Sequence, residues 1–468
     1  MNIRICIEFN KSYWTAVDYN DYMPSVALVV LDTLRKDSFD EHFQWLPGTR
    51  FEQAYSTSGW TVPAHGSLFT GKYPSESGVY AKFQSLTTGG LVLAEALAEA
   101  GYTTRGFSAN ANISDAFDFT RGFEDFHHSW RGERQKEGIV DWGEFISDTA
   151  DDGISKYVSA IRESLTADRT VKSLELGVRM KARDWGIESI AGQDDGANKA
   201  QDLVESTSFA PDKEFLFLNL MEAHGPYDAP KGYRTVEIQS NPSFEHTIFE
   251  GPPEDSETIR QAYDDCVRYL SDKYEEIFAT LSEAFDYVFT ISDHGEMFGR
   301  DGLWAHNYGL YPELTHVPVA IYDGRDHSST RRDTASLIDV HETICQIAGC
   351  QSQGNHGRNL LETRASQDRL VERFGLRDNR AEKLRRRGCD ESTVREYEEP
   401  IFGIATQSGE YAWQSRRGMQ STNGIEVGEA DRLIGDLRAG IKSVEPQSSP
   451  AADVPKDVED RLEELGYL

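Results

Sequence analysis

Cysteine is scarce in this chain, and the few cysteines are widely scattered. Five occur among 468 residues. Their spacing fits neither a zinc knuckle nor a disulfide framework. Two of them, Cys345 and Cys350, could approach each other within a helix and the turn that follows it. Buried free thiols are nevertheless the simpler prediction.

Long apolar segments are lacking as well. The longest early run, residues 26–31, is too short to cross a bilayer. The N-terminus shows no basic segment followed by an apolar core, which is the pattern of a signal peptide. From the sequence we therefore expect a soluble, cytoplasmic protein without a transmembrane segment.

Basic residues are few relative to acidic ones. The chain has 48 Lys and Arg against 79 Asp and Glu, which gives a formal net charge of −31. This balance argues against nucleic-acid binding through a general basic surface. The acidic residues are spread along the whole chain rather than collected in a tail, which predicts a strongly solvated surface. Such a surface resembles that of halophilic archaeal proteins, whose charges are screened by molar salt.

Four short apolar runs have the character of buried parallel strands, namely residues 25–31, 102–108, 214–220 and 285–291. They are rich in β-branched, aliphatic and aromatic residues. Helical patterns over residues 89–101 and 256–284 alternate with them. The sequence therefore predicts an α/β fold with a doubly wound, largely parallel central sheet flanked by helices. In such sheets, ligands bind outside the carboxyl ends of the strands.

Polar residues follow each of these runs. Asp32 follows the first run, Asn110 the second, His224 the third, and Asp293 with His294 the fourth. An adjacent Asp and His can both turn toward one cation, and this ligand pair suits Zn²⁺, Mn²⁺, Mg²⁺ or Ca²⁺. As alternatives, Asp32 could be a helix N-cap, and Asn110 could be a turn residue.

A further polar segment, residues 51–79, predicts a loop that leads into a helix. Pro63 suits the first helical turn, where a missing N–H group is tolerated, and Gly71 suits the end of the helix. Thr61 is thereby predicted at a helix N-terminus, where free N–H groups and the helix dipole favour an oxyanion. Its hydroxyl could attack a phosphate or sulfate group or bind a metal, and an ordinary N-cap is the alternative.

The same segment contains Leu-Phe-Thr-Gly-Lys-Tyr-Pro at residues 68–74. This motif resembles the sulfatase branch of the alkaline phosphatase superfamily, as do Asp-Thr-Leu-Arg-Lys-Asp from Asp32 and Ser-Asp-His-Gly-Glu from Ser292. In sulfatases the nucleophile is a Cys or Ser that is converted to formylglycine, in a Cys/Ser-x-Pro-x-Arg frame. Here Thr61 takes the Cys place and His65 the Arg place. Thr cannot be converted to formylglycine. In this respect the chain looks more like the phosphodiesterases and the phosphoglycerol or phosphoethanolamine transferases of the superfamily.

The resemblance implies a set of site residues, which we expect to arrive from three strand ends at one edge of the sheet. One divalent cation (Ca, Mg, Mn or Zn) would be held by Asp32, Thr61, Asp293 and His294. The predicted catalytic residues are Thr61 as nucleophile, His224 at the transferred group and His306 near the leaving oxygen. Two further residues, His65 and Asn110, are predicted to contact the substrate.

The chain is predicted to divide into a sulfatase-like catalytic domain, residues 1–361, and a C-terminal part, residues 362–468. The first contains an insertion at about 127–210, and the second a charged helical segment and a small α+β subdomain. The predicted function is hydrolysis of sulfate or phosphate esters of small molecules or glycans. The alternatives are a phosphodiesterase or phospho-group transferase acting on a glycan or lipid headgroup, and a non-catalytic binding protein with the same fold.

Overall fold

The computed structural model describes residues 22–129 and 196–444, apart from positions 88, 245, 253, 353, 355, 363–365 and 423. A central sheet of eight strands organises these residues. In chain order the strands are β1 (Val26–Leu31), β2 (Gly48–Phe51), β4 (Thr103–Ser108), β5 (Asp125–His128), β6 (Glu214–Leu220), β7 (Tyr287–Ile291), β8 (Val319–Tyr322) and β9 (Ser328–Arg331). Outside this sheet, β3 (Ala54–Tyr55) pairs in parallel with β10 (Ala335–Ser336).

Across the sheet the strands follow the order β5-β4-β6-β1-β7-β8-β2-β9. The strands from β5 to β7 run parallel, β8 is antiparallel to both of its neighbours, and β9 is parallel to β2. Every strand except β8 therefore points the same way. The predicted α/β fold with a largely parallel sheet is confirmed.

Helices flank the sheet in two groups. The helices α1 (Lys36–His42), α5 (Ala197–Ser206) and α6 (Ser256–Ala284) pack together in one group, and α2 (Thr61–Thr70), α4 (Leu93–Glu99) and α8 (Leu337–Ile347) in the other. Two single turns, α3 (Pro74–Ser77) and α7 (Pro312–Thr315), complete this part. The predicted helix over 256–284 and the predicted strand over 214–220 agree with the structure at both ends.

The position of β1 explains why polar residues collect at one edge. All six of its residues are fully buried aliphatic side chains, and it lies between β6 and β7 with both pairings parallel. The carboxyl ends of these three strands consequently lie side by side. Asp32 follows directly after β1, whereas Asp293 comes two residues after β7.

The approach to Thr61 differs from the prediction. Thr61 begins α2, but α2 follows β3, which belongs to the separate pair rather than to the central sheet. The expectation that every metal ligand arrives from a strand end of one sheet is therefore wrong for Thr61. As predicted, α2 ends at Gly71, which has a φ of 68°. A Cβ atom there would lie 2.6 Å from the imidazole Cδ2 of His341. The positive φ and the lack of room for a side chain therefore both require glycine.

The C-terminal part forms a four-stranded antiparallel sheet in the order β11 (Arg369–Arg373), β12 (Ile401–Ala405), β13 (Tyr411–Ser415) and β14 (Gly418–Ser421). Its helices are α9 (Asp378–Arg386), α10 (Glu391–Glu398) and α11 (Val427–Ala439). The small C-terminal subdomain is confirmed, but the prediction of a charged, solvated helical segment over residues 365–398 fails at β11, whose five residues are all buried. The charged residues of this segment suggested exposure to solvent, but those of β11 are buried because their side chains have partners inside the protein. One example is the 2.5 Å ion pair between Arg369 and Asp339.

Three further predictions concern membrane-spanning helices, the cysteines and the insertion at about 127–210. In the part of the chain that the structure describes, no helix is long and apolar enough to span a membrane. The described cysteines are free thiols; Cys266 and Cys345 are buried as predicted, whereas the prediction of burial is wrong for Cys350 and Cys389, which are partly exposed. Most of the predicted insertion, from residue 130 to 195, lies outside the described residues, and the domain boundary at 361 stays a prediction.

Glu372 of β11 connects the C-terminal sheet to α3. Ser75 donates to its two carboxylate oxygens from the backbone N at 2.8 Å and from Oγ at 2.9 Å. Burial raises the pKa of Glu372 from 4.5 to about 7. A carboxyl whose pKa is higher in the folded state stabilises the fold below the unfolded value, and this contribution is lost as the pH rises through about 7.

We therefore expect Glu372→Gln to flatten the pH dependence of stability. Between about pH 5 and pH 8, the wild-type protein should lose up to about 3 kcal/mol of unfolding free energy that the variant does not lose. Thermal and denaturant unfolding at several pH values measure the difference. Glu429→Gln, which alters an exposed carboxylate of α11, is the control, and identical curves for the two variants would contradict the prediction.

Candidate active site

Three buried side chains of ligand type meet at the carboxyl edge of β1 and β7. Asp32, Asp293 and His294 have no exposed surface, and one ligand atom from each lies within 4.8 Å of the others. The Nε2 atom of His294 is 3.4 Å from Oδ2 of Asp293 and 3.8 Å from Oδ1 of Asp32. These residues, predicted as metal ligands from separate motifs, are brought together by the fold.

The hydrogen bonds around this group leave ligand atoms available. The Nδ1 atom of His294 lies 2.9 Å from the carbonyl oxygen of Gly295; because a carbonyl only accepts, Nδ1 carries the hydrogen and Nε2 keeps its lone pair. Asp293 accepts the backbone N–H groups of Thr33 and His294 at Oδ1. Its Oδ2 is buried and accepts no hydrogen bond from the described residues. This donor set fits a divalent cation.

The electrostatics of the two buried carboxyl groups also favour a bound cation. Burial, followed by the charge of Asp32, raises the pKa of Asp293 well above its ordinary value. Burial would also raise the pKa of Asp32, but His294, His224 and His65, together with the Asn110 amide, lower it below the usual range. Two carboxylates enclosed side by side repel each other unless a cation or a proton lies between them.

Thr61 lies against this group as the first residue of α2. Its side chain is buried, and its hydroxyl donates to Nε2 of His294 over 3.0 Å. The backbone N–H groups of the first helical turn lack intrahelical acceptors, so they favour negative charge next to the Thr61 hydroxyl. The structure therefore adds a hydroxyl oxygen to the two carboxylates and the imidazole.

The two predicted substrate-contacting residues lie behind the metal-type ligands. Nδ1 of His65 donates to the Thr61 carbonyl over 3.0 Å, and Nε2 lies 3.4 Å from the Asn219 amide nitrogen. Burial lowers the pKa of His65 to about 4, so its ring is neutral at neutral pH. Asn110 donates to Oδ2 of Asp32 at 2.8 Å and accepts the backbone N–H of Asn112. Both side chains orient other site residues through these contacts.

His224 and His306 lie beside His294. The ring centroid of His306 is 4.6 Å from that of His294 and 5.0 Å from that of His224. The Nδ1 atom of His224 donates to the carbonyl of Gly225 over 2.6 Å. Burial, followed by the charges of His294 and His224, lowers the pKa of His306 well below its ordinary value. The two predicted catalytic histidines are therefore next to the metal-type ligands.

Sequence reasoning missed Glu296, which contacts His306. The Nδ1 atom of His306 lies 3.2 Å from Oε2 of Glu296, and Tyr227 donates its hydroxyl to the same oxygen at 2.8 Å. Glu296 is buried, and burial raises its pKa above the ordinary value. Glu296 ends the Ser-Asp-His-Gly-Glu motif, but no local pattern links it to a histidine ten residues further along the chain.

The sheet, the helix start at Thr61 and the buried ligand group define a member of the alkaline phosphatase superfamily. Within that superfamily the chain belongs to the sulfatase family, whose model, described as Sulfatase, matches residues 41–350. An uncharacterized sulfatase, YidJ of Escherichia coli (strain K12), is 21% identical over 353 residues. That match covers 69% of this chain and 66% of the relative, which is slightly less than two thirds of its length.

Solved structures share the fold. The phosphonate monoester hydrolase of Agrobacterium radiobacter has a TM-score of 0.55 at 16% identity, with 95% of this chain and 96% of that chain covered. Ps i-CgsB, solved in complex with k-i-k-neocarrahexaose, has a TM-score of 0.54 at 13% identity, with 95% and 100% covered. At these identities, the likeness shows the fold alone.

Proposed function

We propose that the protein is a metal-dependent ester hydrolase that uses Thr61 itself as the nucleophile and prefers phosphodiesters to sulfate esters. The observation that carries this proposal is the 3.0 Å hydrogen bond from the Thr61 hydroxyl to Nε2 of His294. This hydrogen bond links the proposed nucleophile, at the start of α2, to the buried side chains that have the ligand chemistry of a divalent metal site. Four side chains, Asp32, Thr61, Asp293 and His294, would hold the cation.

The bound cation would lower the pKa of the Thr61 hydroxyl and offset negative charge on the transferred group. The Thr61 oxygen would then attack phosphorus while the bond to the leaving oxygen breaks. The N–H groups at the start of α2 would bind the non-bridging oxygens, and a doubly protonated His224 would donate to them from Nε2. Water would next attack the phosphorus of the threonine ester, break the bond to the Thr61 oxygen, release a phosphomonoester that keeps the second alcohol group, and restore the Thr61 hydroxyl.

His306 would supply the proton to the leaving oxygen. Glu296 fixes the His306 ring through its hydrogen bond with Nδ1, which directs Nε2 away from the carboxylate and toward the site. When the proton between the pair lies on Glu296, His306 carries its own hydrogen at Nε2. As that hydrogen passes to the leaving oxygen, the Glu296 proton moves to Nδ1, which leaves a neutral imidazole and a Glu296 carboxylate. Glu296 is therefore a positioning residue in this proposal.

The preference for phosphorus follows from the side chain at position 61. A formylglycine hydrate has a second hydroxyl, which lets sulfate leave by elimination. Thr has one hydroxyl, so its ester is resolved only by attack of water or an alcohol on phosphorus or sulfur. Phosphorus accepts such attack more readily. An alcohol in place of water would make the protein a phospho-group transferase by the same first step.

A substrate panel with a common leaving group tests this proposal. With Zn²⁺, Mn²⁺, Mg²⁺ or Ca²⁺ added in turn, we expect kcat/KM for bis(4-nitrophenyl) phosphate to exceed that for 4-nitrophenyl sulfate by at least about tenfold. Added glycerol separates transfer from hydrolysis, because transfer yields a glycerol phosphodiester. A higher kcat/KM for the sulfate ester would overturn the preference, and no turnover of any ester would favour a binding protein.

Glu296→Gln tests the proton donor. A glutamine keeps the shape and a hydrogen bond but cannot deliver a proton. We expect the loss of kcat to be about 10–100-fold greater for a diester with an alkyl leaving group than for one with 4-nitrophenolate, which leaves without protonation. Tyr227→Phe, which removes a different hydrogen bond to Glu296 and leaves its carboxyl group in place, is the matched control. Equal losses for both substrates would assign Glu296 a purely structural role.

Other parts of the prediction rest on the sequence alone. A haloarchaeal origin is proposed only from the net charge of −31 and its spread along the chain, and a cytoplasmic location stays a proposal from the sequence. The ester substrates, whether small molecules or glycans, likewise stay proposals.

A further inference from the structure

Thr33, the residue after Asp32, has a backbone conformation that is unusual for its residue type. The backbone N–H of Leu34 donates to the Leu31 carbonyl over 3.2 Å, so residues 31–34 form a turn directly after β1. Thr33 is the third residue of this turn and has a φ of 64°. That position usually holds glycine or asparagine, because a β-branched side chain is crowded at a positive φ. A threonine there points to a role that the turn alone does not explain.

Both hydrogen-bond donors of Thr33 are directed at the two buried carboxylates of the candidate active site. Its hydroxyl donates to Oδ1 of Asp32 over 2.8 Å, and its backbone N–H donates to Oδ1 of Asp293 over 3.2 Å. Because Asp32 follows β1 and Asp293 follows β7, this residue connects two metal-type ligands that come from different strands. Thr33 has no exposed surface, so water does not compete for either hydrogen bond.

Tyr263 of α6 holds Thr33 in this conformation. The Tyr263 hydroxyl donates to the Thr33 carbonyl over 3.1 Å and accepts the backbone N–H of Arg35 at 2.9 Å. The Tyr263 side chain is itself fully buried. Helix α6 therefore anchors the turn, and the turn in its anchored form directs the hydroxyl and the N–H group of Thr33 at the two carboxylates.

These hydrogen bonds leave lone pairs for a cation. Asp32 accepts one hydrogen bond at each oxygen, from Thr33 at Oδ1 and from Asn110 at Oδ2, and each carboxylate oxygen has two acceptor positions. Oδ2 of Asp293 accepts no hydrogen bond from the described residues. Donors on both carboxylates also reduce their mutual repulsion. Thr33 thus orients the two ligands and holds them near each other without occupying every position that a cation needs.

We propose that Thr33 is a positioning residue of the metal site, which sets the relative placement of Asp32 and Asp293 for one divalent cation. This inference rests on the proposed function of the same site. The hydroxyl of Thr33, rather than the bulk of its side chain, has this role, and it acts through the carboxylates without binding the cation itself. Residues that hydrogen-bond to metal ligands commonly change metal affinity by about 10–100-fold.

Calorimetric titration of the full-length, chelator-treated protein with Mn²⁺ and with Zn²⁺ tests this without turnover. Thr33→Val removes the hydroxyl and keeps the β-branched shape, so we expect its Kd to be about 10–100-fold higher than that of the wild type. Thr33→Gly suits the positive φ but also lacks the hydroxyl, and it should lose affinity to a similar degree. Thr33→Ser restores the hydroxyl and should stay within about threefold of the wild-type Kd.

Thr334→Val is the matched control, because Thr334 is also fully buried and its hydroxyl donates to the Thr406 carbonyl over 2.7 Å. Its Kd for both metals should equal that of the wild type. A wild-type Kd in folded Thr33→Gly, or a Kd for Thr33→Ser as high as that of Thr33→Val, would overturn the inference. Unfolding curves of the metal-free protein identify any variant that is not folded, and Thr33→Gly keeps the test decisive if Thr33→Val does not fold.

The same preparations separate this inference from the proposed function. Metal binding by the wild-type protein without turnover of any ester would contradict the proposed function and leave the test of Thr33 intact. Absence of metal binding by the wild-type protein would overturn both.

Discussion

Thr61→Ala is expected to lower turnover of bis(4-nitrophenyl) phosphate by about 10⁵-fold, because it removes the nucleophile rather than a supporting group. Metal binding should be retained in part, since Asp32, Asp293 and His294 still lie within 4.8 Å of one another. Steady-state kinetics and elemental analysis of the purified variant measure the two effects. The intact mass of the wild-type protein should match the encoded sequence, because Thr61 acts without conversion to an aldehyde.

Thr70→Ala provides the matched control for this experiment. Thr70 lies on the same helix, and its hydroxyl donates to the Gly66 carbonyl over 2.7 Å. Its removal should lower stability by about 1 kcal/mol and leave the chemical step intact. Robust activity in Thr61→Ala would show that the nucleophile lies elsewhere in the chain.

Asp293→Asn is expected to abolish both metal binding and activity. The wild-type protein should contain about one divalent ion per chain. The variant should contain far less, because it loses as an anionic ligand the Oδ2 of Asp293, which accepts no hydrogen bond from the described residues. At a metal concentration of about 100 Kd, the wild-type protein should gain about 2.7 kcal/mol of unfolding free energy. The variant should gain almost none.

Without metal, the order of stability should reverse. Asp293 and Asp32 are both fully buried and repel each other, so the neutral asparagine should unfold at a higher temperature than the metal-free wild type. Asp326→Asn, which changes an exposed carboxylate, should behave like the wild type under both conditions. Normal metal content and activity in Asp293→Asn would exclude Asp293 as a ligand.

Much of the fold was predictable because its main elements are encoded locally. The aliphatic residues of β1 can be buried on both faces only in the interior of a parallel sheet. The strand at 214–220 and the helix at 256–284 have equally clear periodicity. Because parallel strands end at a common edge, the predictions for Asp32, Asp293 and His294 needed only these strand assignments and the adjacent motifs.

The sequence by itself therefore determined four adjacent strands of the sheet (β4, β6, β1 and β7), the helix start at Thr61 and the residue types of a metal site. Tertiary structure alone decided three further features: the pairing of β3 with β10, the contact of Glu296 with His306, and the approach of Arg377 to Trp60. Each joins residues whose partners are chosen by folding in space. Local hydrophobic periodicity predicts which face of a helix or strand is buried, but it does not predict which distant polar group a buried charged side chain will contact.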